Sequence, residues 1–229
     1  MSKKEEQRRI REQKQQAAAR KARIRSNMTR VAAVIGIPLL VIAVLYGLLS
    51  QGTAYPPDQV AESDQVRGNP DGVTLVIYSD FQCPACATEA RLLSRAWPRI
   101  ADDVQLVYRH FPLTDTHRHA WTAALYAEAA GRQDSFWSMH DLLFANQSYW
   151  SGLSDVEAEF DGYLEQLGLD VARAHEDMED EALRQKVRND QRGGTRAGVR
   201  GTPALFVDGR QVRTPGNVAD LRDLINDAG

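Results

Sequence analysis

Two cysteines, and only two, occur among the 229 residues, and they stand three positions apart in Cys83-Pro84-Ala85-Cys86. The pair follows an apolar, β-branched run, Val73 to Tyr78, that reads as a buried strand. It opens a helix expected from about Pro84 to Trp97, because Pro suits the first helical turn and Pro98 restricts the residue before it. Cys83 is therefore expected where a strand ends and a helix begins. A pair of this spacing is a redox centre, half of a metal site or a structural bridge. Structural zinc takes two such pairs, or one pair with suitably spaced His, and no second pair exists. A bridge closing so short a loop constrains little of the unfolded chain. The redox reading is favoured by placement. Free backbone N–H groups and the positive end of the helix dipole stabilise a thiolate at Cys83, which makes it the attacking sulfur. Cys86, one turn on, is placed to resolve a mixed disulfide.

The first 50 residues have a different character. Residues 1–30 carry eleven Lys and Arg against three Glu, a balance of +8, so a chain of total charge −3 is acidic elsewhere. A basic tail suits nucleic acid or membrane topology. Here it lies directly before Val31 to Ser50, a run with no charge. About 20 apolar residues suffice to span a hydrocarbon core as a helix, with Pro38 expected only to kink it. The positive-inside rule then keeps the tail cytoplasmic and sends the rest outside, with no role in nucleic-acid binding. A cleaved signal peptide is the alternative, with a faint small-residue pattern at Gly52-Thr53-Ala54, but its apolar core would be shorter. Disulfides persist outside the cytoplasm, in keeping with this topology.

Residues 51–71, with Tyr55-Pro56-Pro57 and Asn69-Pro70, read as a linker, and residues 72–229 as the folded domain. Val104 to Phe111 reads as the next strand. Helical periodicity follows in Trp121, Ala124 and Leu125, in Phe136, His140 and Leu143, and in Phe160, Leu164 and Leu167. A further helix is expected over about Glu179 to Thr195, with Gly193-Gly194 weakening its end. A hairpin pairs Ala204 to Val207 with Gln211 to Arg213 through Asp208-Gly209, and Val218 to Asp227 closes the chain as a helix. This order describes an α/β domain, a mixed sheet interrupted by a helical block at about 115–197.

Gly201-Thr202-Pro203 precedes that hairpin. Phe81-Gln82-Cys83-Pro84-Ala85-Cys86 after a strand, Gly-Thr-Pro before a late one, Tyr108 to Leu113 and Phe136 to Leu143 together resemble the DsbA-like branch of the thioredoxin superfamily, from about Val73 onward. The resemblance implies a thioredoxin fold with a helical insertion. It implies a cis Pro203 beside the cysteine pair and a Thr202 that presents its backbone to substrate. Pro84, Ala85, Phe81 and Gln82 are expected to support the site, Phe81 and Gln82 by flanking it and contacting substrate, with packing in the core the equal alternative for Phe81. It further implies a protein thiol–disulfide oxidoreductase acting on the cysteine thiols of exported proteins, reoxidised by a quinone-linked membrane partner. No cofactor or metal is required, because the disulfide carries the electrons. A reductase or isomerase working in reverse, and a copper- or zinc-binding module, are the competing readings.

Two departures from that branch bear on the chemistry. Ala85 stands where many relatives have His, so Cys83 is expected to be less acidic and the couple less oxidising than in a His-bearing relative. Ile77 replaces a buried acid on the strand. Asp80 is the nearest carboxylate, placed to relay a proton to Cys86 or, as Asp commonly does, to close the strand or cap the helix; the structural role is favoured. His117 and His119, with His110 and His140 elsewhere, match no closed metal-site spacing. Trp121, Phe136 and Trp137 are expected in the core of the helical block.

Overall fold

The computed structural model describes Lys14, Arg20, Lys21, Met28, residues 32–42 and residues 52–228, in two units that divide after residue 51. In the first unit a π-helical turn over Ala32–Gly36 leads into a helix over residues 37–42. Among the described residues no helix is long and apolar enough to cross a membrane. Most of the basic tail, and the span expected over residues 31–50 beyond residue 42, lie outside the described residues.

The second unit is built on a five-stranded sheet in the order β1-β3-β2-β4-β5, where β1 is Gln65–Gly68, β2 Val73–Ser79, β3 Val104–His110, β4 Ala204–Val207 and β5 Arg210–Val212. β2 runs parallel to β3, from Val73 beside Val104 to Ser79 beside His110, and antiparallel to β4, from Leu75 beside Val207 to Tyr78 beside Ala204. It is buried on both faces, which is why its sequence is continuously apolar rather than alternating. One face carries Leu75, Ile77, Leu106 and Leu205 against Leu92, Leu93, Ala96 and Ile100 of α1 (Pro84–Ile100) and Leu221 and Ile225 of α8 (Val218–Asn226). The other carries Val76, Tyr78, Val107 and Phe206 against Phe111 and Val199. Asp208 and Gly209 turn the β4–β5 hairpin with φ of 45° and 78°, the doubly left-handed pattern of a tight two-residue turn.

Between β3 and β4 lies the helical block: α2 (Ala120–Gly131), α3 (Phe136–Ala145), α4 (Gln147–Trp150), α5 (Glu157–Gln166), α6 (Val171–Glu179) and α7 (Glu181–Arg196). Its core gathers Tyr126, Met139, Leu143, Trp150, Phe160 and Leu164. Phe136 is buried there, while Trp121 and Trp137 pack against it half-buried.

Three expectations are corrected. The segment 51–71 is no bare linker: it supplies β1, antiparallel to β3, and is pinned by Arg109. The buried Arg109 guanidinium donates to both carboxylate oxygens of Asp64 (3.1 and 2.8 Å), to the carbonyls of Tyr55, Pro56 and Gln59, and to the Tyr78 hydroxyl. Helix α1 runs past Pro98 to Ile100. A proline in the last turn removes only one hydrogen bond there, the Ala101 N–H still reaches the Trp97 carbonyl, and Ile100 is buried against the sheet. Gly193-Gly194 does not fray α7 but lets it approach the sheet. A Cβ on Gly194 would lie 2.8 Å from the Tyr78 ring, and one on Gly193 2.7 Å from the Tyr55 carbonyl oxygen.

Candidate active site

Where β2 ends, the chain turns through Asp80, Phe81 and Gln82 before α1 begins. Asp80 is buried and organises the turn. One carboxylate oxygen accepts from the Gln82 N–H (2.7 Å), the other from the Leu113 N–H (2.8 Å) and lies 2.8 Å from His117 Nδ1, while the Asp80 carbonyl accepts from the Cys83 N–H. Both oxygens are thus engaged in holding the loop, the structural role of the two considered. Gln82 fastens the loop to the helical block, its Oε1 accepting from the His119 N–H at 2.7 Å. From α4, buried Gln147 donates to the carbonyls of Phe81 (2.7 Å) and Cys83 (2.8 Å). Phe81 is 1% exposed, stacked on Tyr108 and tilted against Phe144, so it braces the site from below and does not line a groove.

Cys83 is the N-cap of α1, in extended conformation, with no side chain capping the helix and Pro84 at its first position. The helix therefore offers its first N–H groups to the sulfur. Across the site the Thr202–Pro203 peptide bond is cis, and Cys83 Sγ lies 3.5 Å from the Thr202 carbonyl oxygen. Pro84 and Ala85 are exposed, whereas both sulfurs are largely covered.

This setting divides the two thiols. A hydrogen bond donated by Cys86 outweighs the burial of Cys83 and, with Thr202 and the N–H groups of Cys86 and Ala85, lowers its pKa from 9.0 to about 5. Burial, the hydrogen bond it donates to Cys83 and the negative charge of Cys83 push Cys86 far above its ordinary value. One sulfur is a thiolate at neutral pH and the other holds its proton, the division needed for one to attack and the other to wait.

His110, His119 and His140 are held by neighbouring groups. His110 Nε2 lies 2.8 Å from Glu128, His119 Nε2 3.0 Å from the Leu153 carbonyl, and His140 Nδ1 2.8 Å from Asp141. Among the described residues, one cluster brings metal-ligating atoms close together, His110, Glu128 and Asp190, and it contains neither cysteine. The Lys186 ammonium stands 2.6 Å from Asp190 and 3.2 Å from Glu128, in the place a cation would take. Burial raises the Glu128 carboxyl, but Lys186, His110 and Gln65 outweigh it and hold it at about 2.

Two residues of the site were not singled out in the sequence. Gln147 gives no local signal, since nothing in a polar residue between helices announces that it folds back on a loop 64 positions earlier. Glu89 carried one: it falls on the apolar side of α1, three residues beyond Cys86, and is 5% exposed.

A family model described as thioredoxin matches residues 61–227. Among solved structures, a thioredoxin-like oxidoreductase from Silicibacter pomeroyi DSS-3 is 26% identical with a TM-score of 0.63, covering 73% of this chain and 93% of that one. The thiol-disulfide exchange protein alpha-DsbA2 from Wolbachia pipientis is 19% identical with a TM-score of 0.60, covering 73% and 88%. Among curated proteins, the Na(+)/H(+) antiporter NhaA 1 of Salinispora arenicola is 36% identical over 188 residues, 82% of this chain but 27% of the antiporter. The chain thus spans about a quarter of the length of the curated relatives it matches, and antiport is a property of those proteins. With a family match over residues 61–227, a cis-proline facing a cysteine pair and a helical block set into the sheet, the chain belongs to the thioredoxin family.

Proposed function

We propose that this oxidoreductase works outside the cytoplasm, tethered by its N-terminal apolar segment, and introduces disulfides into exported proteins. The observation that carries the reading is the position of Cys83, an uncapped helix N-terminus with its sulfur 3.5 Å from the carbonyl that precedes a cis-proline. A substrate thiolate attacks Cys83 Sγ of the oxidised pair. The Cys83–Cys86 bond breaks, and Cys86 leaves with the electron pair and takes up a proton. A second substrate thiolate then attacks the substrate sulfur of the mixed disulfide. Cys83 leaves as the thiolate that its surroundings stabilise, and the substrate has lost two electrons to the pair. The low pKa of Cys83 favours it as the leaving group and so favours oxidation of the substrate. No further cofactor is needed for the exchange. Reoxidation falls to a disulfide of a membrane partner, by resemblance a quinone-linked one.

The extracytoplasmic placement is supported by the charge pattern, eleven cations before a stretch without charge. It is supported too by the exposure of Val34, Ile35, Ile37, Leu39, Leu40 and Ile42, a helix apolar on all sides. Thiol trapping in intact cells, with the full chain, tests location and direction together. A pair found mostly as the disulfide, with Cys86→Ala accumulating mixed disulfides to exported proteins, is the expected result. A pair held mostly as the dithiol would overturn the oxidase reading in favour of a reductase.

A further inference from the structure

Three exposed arginines are brought to the neighbourhood of Cys83 by three separate elements, and none of them is paired with a carboxylate among the described residues. Arg91 lies two turns into α1 but is folded back. Its guanidinium donates to the Thr88 hydroxyl at 2.9 Å, and that hydroxyl donates to the Pro84 carbonyl at 3.2 Å, so the charge is carried toward the first turn, where Pro84 and Ala85 are exposed. Arg118 precedes His119, whose N–H holds Gln82. Its guanidinium donates to His119 Nε2 at 2.9 Å and to the Leu153 carbonyl, in the loop whose Ser151 carbonyl accepts from the Gln82 amide at 3.4 Å. Arg200 stands two residues before Thr202, whose carbonyl oxygen is 3.5 Å from Cys83 Sγ.

Unpaired cations are not what this domain would supply by chance. With +8 in the first 30 residues of a chain of −3, the remainder carries −11, and elsewhere its arginines find acids: Arg132 after α2, Arg173 on α6, and Arg184 and Arg188 on α7 each meet an Asp or Glu. Around Cys83 the acids are otherwise engaged. Asp80 is buried in its turn, Glu89 is buried on α1, and Asp155 accepts from the Glu157 N–H. Asp115, exposed in the same turn as Arg118, makes no ion pair with it. Arg91 also stands four residues before Arg95, a like-charge pair on one helix face, and its charge is turned toward the positive end of the helix dipole. Both arrangements work against the fold, so the fold alone does not account for them.

We propose that Arg91, Arg118 and Arg200 form a cationic rim that selects thiol segments with acidic residues beside the cysteine, and this rests on the exchange reaction set out above. The rim acts before the chemistry. An acidic segment is repelled by the domain at large and drawn to Cys83, whereas a basic segment is attracted elsewhere and held off at the sulfur. The bonds that form and break are those of the exchange itself, and the three arginines take no part in them. Because the charges are exposed, salt screens them, over a Debye length of about 10 Å at 0.1 M.

The test is the rate at which the oxidised full-length chain oxidises three dithiol peptides that differ only in the residues flanking the first cysteine, Glu, Gln or Lys. Each rate is divided by that of the same peptide with 2-hydroxyethyl disulfide, an uncharged reagent, which removes the influence of the flanks on the peptide thiol itself. At about 20 mM salt the Glu peptide is expected to react about tenfold faster than the Lys peptide, and at about 0.5 M the two should react alike. With Arg91→Gln, Arg118→Gln and Arg200→Gln combined, the preference should fall to about twofold or less while the Gln peptide stays within about twofold of its parent rate. Arg91→Lys, Arg118→Lys and Arg200→Lys together should keep the preference, since charge is what the rim supplies. Equal rates for the three peptides at low salt would overturn the proposal. So would a preference that survives 0.5 M salt in the parent, a readout that needs no variant to fold, or one undiminished in the triple glutamine variant. A parent chain that oxidises none of the peptides would instead sink the exchange reading, and this proposal with it.

Discussion

Cys83 Sγ and the Thr202 carbonyl oxygen lie 3.5 Å apart although 119 positions separate them in the chain. The contact joins the start of α1 to the loop before β4. The thiolate absorbance of the reduced chain should titrate with a midpoint near 5, with no second thiol appearing below about pH 9. Since the folded value lies below the ordinary 9.0, Cys83 stabilises the reduced fold fully above pH 9 and loses that contribution as pH falls through 5. Denaturation of reduced against oxidised protein should show the reduced form losing ground from pH 9 to pH 5. A difference independent of pH would contradict this account.

Asp80 holds three groups with two oxygens. Asp80→Ala leaves the N–H groups of Gln82 and Leu113 without acceptors, at an expected cost of about 2–4 kcal/mol in urea denaturation. The same change should slow attack by Cys83, measured as alkylation by iodoacetamide, because the loop that positions the sulfur slackens. Unchanged stability and alkylation would show that the loop is held by Gln82 and Gln147 without Asp80.

Arg109 binds the segment before β1 to the sheet. Arg109→Ala strands the buried Asp64 carboxylate and should cost about 3–5 kcal/mol. Arg109→Lys should recover little, since one ammonium cannot reproduce a two-pronged contact with Asp64 together with three carbonyls. Limited proteolysis is the direct check, with cleavage expected within residues 52–64 in both variants and slow in the parent.

Glu89 should leave its mark on the stability of the reduced protein, the state in which the charge of Cys83 adds to the effect of burial. Its folded pKa of about 8 exceeds the ordinary 4.5, and burial is the first cause. It therefore favours the fold below pH 4.5, and that contribution is lost as pH rises to 8. Glu89→Gln should remove this decline, making the variant more stable than the parent at pH 8 by up to a few kcal/mol, and not at pH 4.5. Parallel pH–stability curves for the two proteins would mean that Glu89 does not titrate in that range.

The strands β2, β3 and β4, the helix at Cys83 and the turn at Asp208-Gly209 were legible because each is specified locally, by apolar runs, a proline at a helix start and residues that accept positive φ. What was not legible depends on distant partners. Gln65–Gly68 has too few residues and too little apolar character to announce a strand, and it becomes one because β3 offers a free edge and Arg109 ties down the chain before it. Gly194 looked like a weak helix end because its contact with Tyr78 crosses more than a hundred positions. At the site, Cys83, Cys86, Thr202 and Pro203 followed from motif and resemblance, Phe81 belongs to the core, and Gln147 emerged only once α4 was packed on the loop.

The sheet finishes on both sides in very short strands, four residues in β1 and three in β5, the latter opening with exposed Arg210 and Gln211. Unpaired strand margins recruit other extended chains, and brevity and charge are how proteins blunt them. With margins this short, the domain offers another extended chain little to pair with along its flanks.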